Sequence, residues 1–302
     1  MDFLQTRFSK LLVLTALSLL SGFIFSLLSF GIVLLFFKLS IGEIYSAIDT
    51  LDSARSIRIT KVVLFFNSFG LFVVPPIVFA LLYRKNPISF FKLNSNPSHT
   101  FLPYVILLFL AFLPLINVGV EINKLLVLPD FLNGLEEWMR LAEDEAMRKT
   151  KAFLKMEGIQ DLIVNILLIG ILPAIGEELC FRGVIQQVLT KNSNNHHIGI
   201  WLAAIIFSFV HFQFFGFLPR MILGAFFGYL FYWTKSLWFP IFAHFLNNTF
   251  AVLIAYYLSE NGMEEDLEKI GTTNETYIFA IIALVLFTGL AYRFSKIVKR
   301  VA

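Results

Sequence analysis

Residues 171–183 read ILPAIGEELCFRG. Glu177, Glu178 and Arg182 stand there inside an otherwise apolar run from about Leu162 to Leu189, long enough to cross a bilayer as a helix. A charge at the middle of such a helix costs roughly 2.5–3.5 kcal/mol on insertion scales. Three charges so close together need compensation. On a helix Glu178 and Arg182 share one face four residues apart, with the glutamate N-terminal, the favourable order for an ion pair. Glu177 projects about 100° away and cannot use the same partner equally well. One carboxylate is left over, and function is sought there. Pro173 adds to this by leaving the carbonyl of Ile169 without its helical partner just ahead of Glu177.

Composition outward from this stretch sets the class. The 302 residues are 58% hydrophobic and 15% charged, with 36 phenylalanines, against about 45–50% apolar and about 25% charged in soluble domains. The chain reads as an all-α polytopic membrane protein. A net charge of +3 with no basic run interleaved with aromatics speaks against nucleic acid as a partner. One cysteine, Cys180, excludes an intrachain disulfide framework and a multi-cysteine zinc site, and it reads as helix packing rather than a nucleophile.

Hydropathy gives about eight spans: Leu11–Phe37, Val62–Tyr83, Phe101 to about Leu128, Leu162–Leu189, Ile198–Phe217, Leu218–Trp233, Phe239–Leu258 and Tyr277–Tyr292. The first is too long for a signal-peptide core and reads as retained. Pro75-Pro76 should bend the second. Residues 38–61 suit an amphipathic surface helix. Residues 132–160 have leading acidic and trailing basic side chains, which suits a solvated amphipathic helix outside the membrane. TKNSNNHH (190–197) and SENGMEEDLEKIGTTNET (259–276) read as loops. Gly224 and Gly228 stand in G-x-x-x-G register, a weak packing signal. No internal repeat appears. The whole chain, 1–302, is read as one membrane domain: N-terminal spans and connectors in 1–160, a motif-bearing core in 161–258, and the acidic loop, last span and basic tail in 259–302. The balance of lysine and arginine puts both termini on the cytoplasmic side.

Polar residues inside the spans then line up in depth. Counting 1.5 Å per residue, Glu177 lies roughly 18 Å from the end of the fourth span and His211 roughly 20 Å from the start of the fifth. His244 and Asn248 lie roughly 10 and 17 Å into the seventh. Helices 4, 5 and 7 can thus bring one polar site together at a shared level. A carboxylate beside an imidazole can hold and deprotonate a water. A second histidine and an asparagine amide can donate to a developing oxyanion, with Arg182 fixing Glu178. That chemistry is water-activated acyl hydrolysis, with peptide bonds the expected target.

Zinc is a rival use of the same groups, with Glu177, His211 and His244 as its ligands if a metal is present. H-E-x-x-H is absent, as are G-x-S-x-G, G-x-S-G and G-x-G-D, which leaves no signature of a helical zinc protease or of a serine or aspartyl intramembrane protease. A non-catalytic scaffold or a transporter using these groups for binding or proton handling is the alternative of a different class.

Glu177-Glu178-Leu179-Cys180-Phe181-Arg182-Gly183 resembles the E-E-x-x-x-R motif of the CAAX protease and bacteriocin-processing (CPBP, or Abi) family. Phe207-Ser-Phe-Val-His211 resembles its F-x-x-x-H motif and His244-Phe-Leu-Asn-Asn248 its H-x-x-x-N motif, all in the family's order. The resemblance covers about residues 161–258. It implies an eight-helix intramembrane endopeptidase similar to the Ras-converting CAAX endopeptidase. Glu177 and His211 would activate the water, His244 and Asn248 would form the oxyanion hole, and Glu178 and Arg182 would support them. The family is often labelled metalloprotease, while the glutamate-and-water scheme needs no cofactor. The absence of a compact ligand motif favours the metal-free scheme. Implied partners are a peptide or protein substrate, prenylated or a bacteriocin-like precursor, and the surrounding lipid.

Overall fold

The computed structural model describes residues 6–83, 85–95, 99–125, 128–191, 195–261 and 277–301. Among them there is no strand. The helices are α1 (Arg7–Phe37), α2 (Ile41–Thr50), α3 (Ala54–Leu82), α4 (His99–Lys124), α5 (Asn133–Leu154), α6 (Ile159–Thr190), α7 (His196–Phe209), α8 (Phe217–Thr234), α9 (Trp238–Asn261) and α10 (Tyr277–Val301), with short helical turns at Pro87–Phe90 and Asp130–Leu132. Six of them, α1, α3, α4, α6, α9 and α10, are long and apolar enough to cross a membrane. The protein is a polytopic all-α membrane protein. The other two apolar segments of the eight expected, α7 and α8, are shorter helices that do not meet that standard.

α6 is the centre, packed against α3, α7, α8 and α9. One apolar core joins Phe79, Phe181, Val184, Phe207 and Phe231 across α3, α6, α7 and α8. A second joins Phe112, Phe226, Phe227 and Phe294 across α4, α8 and α10. Phenylalanine is abundant because these seams are filled with rings, as in the stacked pair Phe112–Phe226 at 5.2 Å.

The prolines act through the turns before them. Pro75 and Pro76 have no N–H to return to the preceding turn, and α3 widens to a π-helical segment at Phe69–Val73 immediately upstream. α6 repeats the device, with a π segment at Ile166–Ile171 ahead of Pro173 and a second at Phe181–Gln186 after the two glutamates. Such bulges frequently occur at functional sites.

Several expected boundaries shift. Residues 38–61 divide between α2, entered through a Ser40–Glu43 capping box, and the opening turns of α3. His196 and His197 are the first residues of α7, capped by Asn195, and not part of the loop. The larger correction is the fifth span. α7 stops at Phe209, Phe212 holds a left-handed backbone (φ 53°), and the chain turns before α8 begins at Phe217. His211 therefore sits just beyond the helix, not within it. The expected acidic loop at 259–276 lies outside the described residues from 262 onward.

No residue of α5 is fully buried, and Leu135, Trp138 and Leu141 are exposed. It also touches the bundle: Glu143 Oε2 accepts from the Phe215 amide at 3.3 Å, Trp138 packs on Phe214 at 5.5 Å, and Arg148 donates to the carbonyls of Asp49 and Thr50. It lies over the turn that carries His211.

Candidate active site

The favoured pair forms in α6. Arg182 Nη1 donates to Glu178 Oε1 at 2.7 Å, and both side chains are at most 1% exposed. The guanidinium also donates to the Gly224 carbonyl at 2.7 Å and lies over the rings of Phe207 (4.7 Å) and Phe227 (5.3 Å). Burying a charge pair is tolerated when the remaining donors find partners, and α8 provides them. One turn on, Gln186 Nε2 donates to the Gly228 carbonyl at 3.0 Å. Side chains at Gly224 and Gly228 would obstruct this approach: a Cβ at 228 would meet Gln186 Oε1 and Ile200 at 2.8 Å. The G-x-x-x-G spacing thus presents backbone carbonyls to α6.

Glu178 has a second partner. Nδ1 of buried His244, from α9, lies 2.9 Å from the same Oε1. A carboxylate paired with arginine accepts, so the proton of a neutral His244 is on Nδ1 and Nε2 is bare. The same logic fixes His211. Its Nδ1 lies 2.7 Å from the Phe207 carbonyl, which only accepts, so Nε2 is again bare. Both bare nitrogens face Glu177: His211 Nε2 is 4.0 Å and His244 Nε2 is 3.9 Å from Glu177 Oε2. These separations are too long for direct hydrogen bonds. A water at about 2.8 Å from two atoms 4 Å apart sits at an angle of about 90°, an ordinary bridging geometry.

Two imidazole nitrogens and a carboxylate are also a zinc-type donor set. Bonds of about 2.0–2.2 Å to one tetrahedral ion would bring the donor atoms to about 3.3–3.5 Å from one another, closer than the observed 3.9 and 4.0 Å. Among the described residues no group of three His, Cys, Asp or Glu is arranged to hold a metal ion. The arrangement as it stands does not fit a resident metal.

Asn248, one turn after His244, is held by α6. Its Nδ2 donates to the Ile169 carbonyl at 3.0 Å, and its Oδ1 accepts from Asn247 at 3.1 Å. The structure thus brings Glu177, Glu178, Arg182, His211 and His244 together directly, with Asn248 on the neighbouring turn of α9. Cys180 is buried in the apolar core.

Three positioning groups were not singled out in the sequence. Asn123 Nδ2 donates to the Phe214 carbonyl at 2.9 Å and its Oδ1 accepts from the Leu218 amide at 2.8 Å. Ser208 Oγ donates to the Phe217 carbonyl at 2.7 Å. Together they pin both ends of the 210–217 turn. Arg220 donates to Gln213 Oε1 at 2.8 Å and acts electrostatically on both Glu177 and Glu143. Its signal was available, since it is a cation within an apolar run.

Fold and site together define a membrane protein with a partly buried carboxylate–imidazole cluster at the meeting of α6, α9 and the turn after α7. Residues 159–250 match the family model described as "Type II CAAX prenyl endopeptidase Rce1-like". The match takes in all three motifs and covers under a third of the chain. Over 134 residues, 42% of the chain, the sequence is 31% identical to "Uncharacterized protein YpbD" of Bacillus subtilis (strain 168), covering 62% of that protein. Over 116 residues, 38% of the chain, it is 33% identical to "Putative membrane peptidase YdiL" of the same organism, covering 46% of it. The chain thus spans less than two thirds of each of these relatives. No solved structure matches it significantly.

Proposed function

We propose that the chain is an intramembrane endopeptidase that hydrolyses a peptide bond close to a membrane-embedded or lipidated segment, using a water activated by Glu177 and His211. The observation that carries this reading is the convergence of Glu177 Oε2 with the bare Nε2 atoms of His211 and His244 at 4.0 and 3.9 Å, a space one water fills. The family match of residues 159–250 and the likeness to a relative described as a membrane peptidase support it.

In this mechanism the water donates one hydrogen bond to Glu177 and one to His211 Nε2. Its oxygen attacks the scissile carbonyl carbon while Glu177 takes the proton. Charge develops on the carbonyl oxygen, which faces His244 and the second N–H of the Asn248 amide. The Nδ1 proton of His244 is committed to Glu178, so His244 donates from Nε2 only after taking up a proton from bulk water before the attack, and it returns that proton to water when the products leave. Glu177 then passes its proton to the departing amine. One water is consumed, the C–N bond breaks, and a carboxyl and an amine are released. Arg182 fixes the direction of the Glu178 carboxylate. By the family resemblance the substrate is a prenylated tail or a bacteriocin-like precursor, and the termini face the cytoplasm.

The substrate is tested by comparing membrane-bound peptides in cells that make the active protein or Glu177→Ala. The variant is expected to accumulate at least one uncut precursor that the purified active protein then cleaves. Identical peptide sets, with no cleavage in vitro, would overturn the reading.

A further inference from the structure

A second polar site lies at the other end of α6. Arg7 and Lys10 at the start of α1, Lys85 and Lys92 after α3, Lys191 after α6 and Lys235 after α8 line one cavity of about 810 Å³. Among the described residues its lining includes no aspartate or glutamate and none of the groups around Glu177. Gln186, which also lines it, is nine residues beyond Glu177, roughly 14 Å along the helix.

The tendency of cations to gather on one face of a membrane protein explains their presence in these connectors. It does not explain why four separate segments turn them into one recess. Among the described residues none of the six forms an ion pair. The recess is built as well as charged. Arg7 donates to the Lys191 carbonyl, the Lys92 ammonium lies 5.0 Å over Phe231, and the Lys235 ammonium lies 4.1 Å over Tyr232. Lys92 and Lys235 both hold a left-handed backbone, φ 55° and 53°, which is unfavourable outside glycine and persists only where the surroundings impose it. Burial lowers the pKa of both ammonium groups, and for Lys92 the like charge of Lys235 adds to it. These cations repel one another, and among the described residues they have no ion-pair partner. Gln186 is buried with Oε1 unpartnered. The volume lies within the roughly 300–1,000 Å³ of ordinary ligand sites.

We propose that this cavity is a binding site for a phosphate-bearing anion, supplied either by the headgroup of an anionic lipid or by a soluble phosphate compound. Phosphate offers several acceptor oxygens to the converging ammonium and guanidinium donors and removes their mutual repulsion. The site is independent of the peptidase reading.

Native mass spectrometry of the full-length protein in detergent tests it, with phosphatidylglycerol, phosphatidylcholine and pyrophosphate as probes. The cavity variant is Lys10→Gln/Lys92→Gln/Lys235→Gln. The control, Lys296→Gln/Lys299→Gln/Arg300→Gln, removes equal charge from the end of α10. Retention of phosphatidylglycerol about tenfold above phosphatidylcholine, lost in the cavity variant and kept in the control, supports a lipid ligand. Pyrophosphate binding with that same dependence supports a soluble one. Absence of both anions from the unmodified protein, or equal losses in cavity variant and control, overturns the proposal. Should the triple variant fail to fold, Lys92→Gln and Lys235→Gln are each expected to weaken binding about threefold, and singles that match the unmodified protein overturn it equally.

Discussion

Asn248 Nδ2 donates to the Ile169 carbonyl at 3.0 Å, the acceptor that Pro173 leaves without a helical N–H four residues on. A proline in one helix and an asparagine in another are thereby coupled across the site. The Leu172 amide reaches back to Leu167 in the widened turn, which leaves Ile169 for α9. The same bond holds Asn248 in place and engages one of its two amide protons.

That coupling is measurable. Asn248→Ala is expected to destabilise the protein by about 1–3 kcal/mol, the cost of leaving a part-buried carbonyl unsatisfied. In a Pro173→Ala background residue 173 regains an N–H, and the cost is expected to fall below about 1 kcal/mol. Thermal unfolding of the four proteins of this cycle reads it, and equal costs in both backgrounds would remove the coupling.

The turn carrying His211 depends on Asn123, which bonds both the Phe214 carbonyl and the Leu218 amide. Asn123→Ala is expected to lower peptidase kcat about tenfold or more while KM changes less than about threefold, because a misplaced base affects chemistry more than substrate binding. A KM effect alone would assign Asn123 to substrate binding.

Legibility differed between parts of the site for physical reasons. The Glu178–Arg182 pair was visible because helical spacing and burial cost both demand it, and the freed Ile169 carbonyl followed from Pro173. The end of α7 was hidden. Phe209, Phe212, Phe214, Phe215 and Phe217 keep the hydropathy high through a stretch where the backbone has already turned. Hydropathy reports solvent preference and not φ, so His211 was read as helical. Asn123 belongs to the end of the third span, and only the tertiary fold shows what it clamps. The basic cavity could not be read at all, since its cations come from segments far apart in sequence.

The histidine tautomers are open to direct observation. Nitrogen-15 NMR of histidine-labelled protein is expected to show His211 and His244 protonated at Nδ1 and bare at Nε2 in the resting state, as their contacts with the Phe207 carbonyl and Glu178 require. A proton on Nε2 of neutral His211 would leave that ring unable to accept from the water.

Metal dependence separates the two water-activation schemes. With donor atoms 3.9 and 4.0 Å from Glu177 Oε2, the metal-free scheme expects full cleavage after exhaustive chelation and less than about 0.1 metal ion per chain by elemental analysis. Activity lost on chelation and restored by zinc alone would replace the water-only scheme by a metal-bound one.

The central claim is that Glu177 takes the proton of the attacking water. Cleavage of a membrane peptide substrate by purified Glu177→Gln measures this most directly, because glutamine keeps the size and polarity of the side chain but cannot accept that proton. The expected result is a fall in kcat of about 10²–10⁴-fold with unchanged thermal stability. Cleavage within about threefold of the unmodified protein would contradict the claim.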